Sequence, residues 1–124
     1  MKKEKVNVTE LELALKELVE TEGVNAGAVV TRDGIMVGFL NKHTPEVVLP
    51  LSSVVAMMTI TAEKCTRMFK KGEMVELITK ANGGELLTER CGEFIFVVAV
   101  DKGIDFESIK LSRDKVKAAI SSMV

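Results

Sequence analysis

The 124-residue sequence has little of the chemistry that a catalytic site needs. Its one histidine, His43, lies beside Thr44 and Pro45, and no serine or cysteine nucleophile pattern is near it. Because a nucleophile must have a base within reach, we interpret His43 as a solvated loop residue. The sequence also lacks the Gly-x-x-x-x-Gly-Lys-Ser/Thr loop that holds a nucleotide phosphate. It therefore predicts a protein that is not an enzyme, binds no cofactor and is not itself a GTPase.

Cysteine is scarce as well. The two cysteines, Cys65 and Cys91, are far apart and form no Cys-x-x-Cys motif, so the sequence predicts neither a zinc site nor a redox pair. We interpret both as small buried hydrophobic residues that stay free thiols.

The sequence shows no excess of one charge and no long hydrophobic run. It has 17 basic and 18 acidic residues, for a formal net charge of -1, whereas a nucleic-acid partner would call for a basic surface. Residues 47–62 are interrupted by Pro, Ser and Thr, and residues 94–100 are too few to cross a bilayer. The first residues contain no apolar signal-peptide core. We therefore predict a cytoplasmic protein with no membrane span and no nucleic-acid partner.

The first element that the sequence does contain is a helix with a capping box, Thr9 to Glu12. The Thr9 hydroxyl accepts from an early helical amide and Glu12 reaches back to the cap, so we predict that the helix begins at Thr9. Apolar residues then recur at steps of three and four, which indicates one face packed on a core: Leu11, Ala14, Leu15 and Leu18. We assign residues 1–8 to a flexible N-terminus and residues 9–124 to one domain.

Two glycine-containing turns predict β-hairpins. Asp33-Gly34 separates strands over residues 26–32 and 35–40, and Asn82-Gly83-Gly84 separates strands over residues 73–80 and 85–90. Such residues supply the positive φ angles of primed turns, so we predict that turn type. The first pair of strands shows little alternation of apolar and polar residues, which indicates a sheet covered on both faces.

The C-terminal part of the sequence predicts one more strand and one more helix. Residues 94–100 are wholly apolar and too few for an independent helix, so we expect a strand near the sheet centre. The last helix is predicted to begin at Ser112 and to bury one face: Val116, Ala119, Ile120 and Met123.

A long helix is predicted over residues 51–71, with Gly72 as its stop. Its apolar residues follow a 4-3-4-3-4 spacing that predicts the face packed on the sheet: Leu51, Val55, Met58, Ala62, Cys65 and Phe69. A second set remains beside this face: Val54, Met57, Thr61 and Met68. One sheet face cannot bury both sets, so another helix must meet this one.

The order helix, two strands, long helix, three strands, helix predicts a single-domain α/β/α sandwich around an antiparallel sheet. This order, with the segment Ala26 to Ile35, the Met-rich long helix and the apolar strand over residues 94–100, resembles the roadblock family over about residues 9–123. The resemblance implies a profilin-like fold with a five-stranded sheet in the order 2-1-5-4-3.

The resemblance also implies a homodimer in which the long helices lie side by side and the third strands pair. On this basis the predicted dimer interface comprises Met57, Thr61, Lys64, Met68, Met74, Glu76 and Ile78. Relatives in the family imply a further partner, a small Ras-like GTPase that the dimer binds and regulates. For that partner we predict an outward helix surface with an aliphatic anchor at Ile60, formed by Ala56, Ile60, Glu63 and Arg67.

Two other functions stay open at this point. One is a structural adaptor that links a motor, filament or signalling complex without nucleotide dependence. The other is a sensor-like domain, which would need an internal pocket lined by convergent polar groups. We rank the sensor last, because the apolar strands predict a filled interior.

Overall fold

A computed structural model describes residues 2–42 and 51–123 of the chain. The elements are α1 (Lys2–Glu20), β1 (Val24–Thr31), β2 (Met36–Asn41), α2 (Leu51–Met68), β3 (Glu76–Ala81), β4 (Gly84–Cys91), β5 (Phe94–Asp101), a short 3-10 helix (Phe106–Ile109) and α3 (Lys110–Ser121). The strands form one antiparallel sheet in the order β2-β1-β5-β4-β3. This confirms the predicted fold class, with the apolar strand β5 at the centre. His43 and the prolines of its loop lie outside the described residues, so the interpretation of His43 stays a prediction.

The larger core lies between the sheet and the helices α1 and α3. The predicted apolar face of α1 is buried there, and so are Val116, Ala119 and Ile120 of α3. The start of α1 was predicted wrongly: it begins at Lys2, so Thr9 lies inside the helix and does not cap its first turn. That residues 1–8 lie outside the domain stays a prediction.

The start of α3 also differs from the prediction. Asp105 caps a 3-10 turn by accepting from the Glu107 amide, and α3 follows directly from Lys110. The Ser112 hydroxyl lies 3.3 Å from the Thr21 hydroxyl instead of capping the helix. Because the 3-10 turn leads directly into α3, the helix needs no cap residue at Ser112, and the cap signal there gave the wrong start.

Both hairpins exist, but their turns are not primed. A type I′ turn needs a positive φ at both central residues, and Lys70 is the one non-glycine residue in the described part of the chain with a positive φ. In the first hairpin Gly34 alone supplies the positive φ, and its amide donates to the Thr31 carbonyl at 3.0 Å. In the second hairpin Ala81 pairs directly with Gly84, where an added Cβ would overlap the Val100 carbonyl oxygen.

Among the described elements, helix α2 is the one that lies on the other face of the sheet. The face that it buries was predicted wrongly. Its buried residues are Val55, Ala56, Thr59 and Glu63. Within the predicted stripe, Cys65 and Phe69 are exposed and Met58 is half-buried. At 3.6 residues per turn the true face is about a quarter turn away from the predicted one. The reason is that polar residues occupy the buried side, where a search for apolar residues does not find them.

Candidate protein interface

The outer face of α2 exposes an apolar stripe. Val54, Met57 and Met68 are 52%, 66% and 82% exposed, and Thr61 and Lys64 lie between them on the same face. These residues point away from the sheet, as expected for the second apolar set of this helix. Large apolar residues grouped on one exposed face are typical of a protein contact.

A groove continues from this stripe toward the sheet. We call it the α2 groove: it is lined by Val54, Met57, Met58, Thr61 and Ala62 of the helix and by Leu77 of β3. Met58 also lines a neighbouring apolar recess of about 110 Å³, whose floor is made of sheet residues: Ala26, Gly27, Ala28, Phe39, Leu86, Val97 and Ala99. Part of the α2 side of the sheet is therefore left uncovered by the described residues of the chain.

The recess does not resemble the pocket that a sensor domain would need. Its ten lining residues carry apolar side chains or, at Gly27, none. Among the residues that the structure describes, the recess has none of the convergent polar side chains that orient a small ligand.

Strand β3 forms the sheet edge beside the α2 groove. It pairs with β4 on one side and with no other described strand. Leu77 faces α2, whereas Glu76 and Ile78 pair with Glu89 and Leu87, which face α3 and the larger core. The predicted interface residues of β3 therefore lie on the opposite sheet face from Met57. The site prediction missed Leu77. Successive residues of a strand point to opposite faces of the sheet, so Leu77 and its two neighbours Glu76 and Ile78 cannot share one face.

One predicted dimer residue is not available on the surface. Met74 is 5% exposed within the chain itself. Its position just before β3 suggested an edge residue, but its side chain packs inside the chain. We therefore remove Met74 from the predicted interface.

Of the four residues in the predicted partner surface on α2, two are exposed and two are buried. Ile60 is 36% exposed and Arg67 is exposed, whereas Ala56 and Glu63 are each 4% exposed. The outward placement of Ala56 and Glu63 was wrong because the helix is rotated relative to its apolar spacing. Whether Ile60 and Arg67 contact a partner stays a prediction.

Glu63 is the centre of an ion-pair cluster under α2. Its Oε1 accepts from Arg32 at 2.9 Å, and its Oε2 accepts from Arg90 at 2.6 Å. Arg67 lies 3.7 Å from Oε1, and Glu73 lies 3.4 Å from Arg67 and 3.1 Å from Arg90. Burial raises the pKa of the Glu63 carboxyl, but the positive charges of Arg90 and Arg32, then Arg67, outweigh burial and hold that pKa below its ordinary value. Glu63 is therefore ionised at neutral pH.

A second buried glutamate lies on the opposite face of the sheet. Glu89 accepts from Arg113 at 3.0 Å and from Lys117 at 2.9 Å, and both partners belong to α3. Like Glu63 it is a buried carboxylate paired with basic side chains, two here and three at Glu63, but it joins the sheet to α3 instead of α2.

The described residues contain no group of three or more side chains suited to hold a metal ion. No helix among them is both long and apolar enough to cross a membrane. Cys65 and Cys91 are free, but Cys65 is exposed, which corrects its interpretation as a buried residue. Burial and the neighbouring Glu89 carboxylate raise the pKa of the Cys91 thiol.

Comparison with known proteins supports this fold. The family model of the Roadblock/LC7 domain matches residues 10–100. Myxococcus xanthus MglB is similar with a TM-score of 0.82 at 14% identity, covering 94% of this chain and 92% of that one. A Roadblock/LC7 domain from Streptomyces avermitilis has a TM-score of 0.77 at 10% identity, covering 89% and 93%. A structure described as MglB with tetrameric arrangement has a TM-score of 0.80 at 15% identity, covering 94% and 89%. No curated protein sequence matches the chain.

Proposed function

The chain belongs to the Roadblock/LC7 family, and from this premise we propose that it is a homodimeric platform that binds and regulates a small Ras-like GTPase. It supplies no catalytic centre of its own and works through protein contacts. We propose the cytoplasm as its location, as the sequence predicts.

The observation that carries the proposal is the uncovered α2 groove with its exposed methionines. Met57 and Met68 are solvent-exposed on α2, and Leu77 extends the same apolar surface onto the edge strand. Apolar surface of this kind is a liability in a monomer, and an edge strand beside it offers unpaired backbone groups to a second sheet. The α2 helix of a second copy would fill the groove, and a two-fold axis would bring the two β3 edges together.

Self-association is also found among similar proteins. One of the similar structures is described as MglB with tetrameric arrangement. At 15% identity this likeness shows the fold alone, so for this chain it supports the dimer only as a proposal.

The GTPase assignment rests on the family resemblance. The surface that we propose for it is the exposed side of α2 around Ile60 and Arg67. An aliphatic anchor with a guanidinium group two turns further along the same side of the helix suits a reversible interface. Regulation would act on the switch segments of the GTPase, whose ordering controls its active site.

The experiment that tests this function is a pull-down with purified small Ras-like GTPases, each loaded with GDP or with a non-hydrolysable GTP analogue. The proposal expects one GTPase to be retained with a clear preference for one nucleotide state. Retention of a filament or motor component, with no GTPase retained in either state, would instead favour the adaptor function.

A further inference from the structure

Helix α2 makes a small apolar contact with the sheet. Among the described residues, the apolar cluster beneath it holds five buried members, and α2 contributes Val55 and Ala56 to them. The cluster on the other face of the sheet holds fourteen. Because hydrophobic stabilisation grows with the apolar area removed from water, α2 is held less strongly by this effect than α1 and α3 are. Other interactions must fix its position.

The Glu63 ion pairs join α2 to two separate strands. Arg32 follows the last residue of β1, and Arg90 lies in β4. These strands flank the central β5 on its two sides, so the carboxylate connects them across β5. Each carboxylate oxygen accepts from its own arginine, which fixes the helix in direction as well as in distance.

We propose that Glu63 is a positioning residue that locks α2 across the sheet, and that it thereby sets the shape of the α2 groove into which a second copy of this chain docks. This positioning of α2 by Glu63, which we call the lock, is a property of the single chain. Its consequence for docking rests on the proposed dimer.

The chemistry of the site explains why a carboxylate is needed. A glutamine at position 63 would keep the size of the side chain but would bring an NH2 group to one arginine and remove the charge that both arginines face. Arg90 is only 16% exposed at its side chain and would keep Glu73, 3.1 Å away, as its carboxylate partner. Glu73 lies outside α2, so with Glu63 neutral no carboxylate of the helix would tie it to Arg32 and Arg90, and α2 would be free to move away from the sheet.

Hydrogen exchange of backbone amides tests the lock with a matched control. Glu63→Gln and Glu89→Gln each remove one buried carboxylate that joins a helix to the sheet through ion pairs, on opposite faces of the sheet. At neutral pH we expect Glu63→Gln to speed exchange in α2 by about tenfold or more relative to α1 and α3. We expect Glu89→Gln to leave α2 no more exposed to exchange than the rest of the chain. Light scattering should show weaker self-association, by about tenfold in Kd, for Glu63→Gln alone.

Unchanged exchange in α2, or an equal increase in all three helices, would overturn the lock. Should Glu63→Gln not fold, Arg32→Gln is judged by the same criterion, since Arg32 is more exposed than Arg90 and its loss leaves the Arg90 pair in place. A wild-type chain that is monomeric would contradict the proposed dimer, while α2 exchange would still decide the lock.

Discussion

At the scale of single residues, two buried glutamates each form ion pairs that join a helix to the sheet, on opposite faces of the sheet. Glu63 holds α2 through Arg32 and Arg90, and Glu89 holds α3 through Arg113 and Lys117. Neither pairing could be predicted from the sequence, because the partners are far apart along the chain. The sequence placed Ile60 opposite the predicted core stripe of α2. Because that stripe is about a quarter turn off, Ile60 lies beside the buried residues instead and is 36% exposed.

Ile60 should be needed for the GTPase and not for the fold. We expect Ile60→Glu to abolish binding of the GTPase while thermal melting and dimer mass stay at wild-type values, because the side chain is already 36% exposed. Pull-down, melting and light scattering on the same preparation measure all three. Wild-type affinity in the variant, or an unfolded variant, would show that the docking surface lies elsewhere.

Gly84 should be essential to the second hairpin. Its φ of +155° and its close approach to Val100 leave no room for a Cβ, so Gly84→Ala should cost about 2 kcal/mol or more of unfolding free energy. Gly83→Ala is the matched control: nothing lies within 4 Å of an added Cβ there, and we expect a change within about 0.5 kcal/mol. Denaturant unfolding of both variants measures the difference, and equal costs would refute the role of the close contact.

At the scale of elements, the sheet was more predictable than the long helix. The strand signals, an apolar run in β5 and glycine at both turns, depend on neighbouring residues and located all five strands. The buried face of α2 instead carries Glu63, whose partners are Arg32, just after β1, and Arg90 of β4, so a pattern of apolar residues gave the wrong rotation. The predicted turn types were wrong because Asp33 and Asn82 do not adopt the positive φ that a type I′ turn needs, although both residue types favour such turns.

The exposed methionine face of α2 should control self-association. Met57→Glu places a charge on a residue that is already 66% exposed, so we expect the fold to persist and the dimer to weaken by about tenfold or more. Leu13→Glu is the matched control, because Leu13 is 60% exposed on α1, on the other face of the sheet. Equal dimer mass for the two variants across a dilution series would contradict this interface.

The α2 layer should lose stability in acid. The pKa of Glu63 is lower in the folded chain than its ordinary value of 4.5, so the unfolded chain takes up the proton first as the pH falls. The stabilisation is complete above about pH 4.5 and is lost as the pH falls through the folded value. Denaturant unfolding at pH 7 and below pH 4.5 should show a smaller acid loss in Glu63→Gln than in the wild type. An identical loss in both would mean that this carboxylate does not contribute.

At the scale of the whole molecule, the fold and the family could be predicted from the sequence. The proposed interface at the α2 groove could be predicted only in part. Element order and the central apolar strand are properties of the chain itself and predicted the α/β/α sandwich, whereas the sheet order was predicted from the resemblance to the roadblock family. The interface depends on which side of β3 meets α2. There Leu77 lines the groove, whereas the predicted Ile78 lies on the other sheet face.

Light scattering after gel filtration tests whether the chain is a homodimer that binds a small Ras-like GTPase. We would measure the chain at tens of micromolar, alone and with its nucleotide-loaded GTPase. We expect a particle of twice 13.5 kDa for the chain alone, and a heavier complex that contains two copies of the chain when the GTPase is added. A chain that stays at 13.5 kDa, or a dimer whose mass does not change with any small Ras-like GTPase in either nucleotide state, would contradict this expectation.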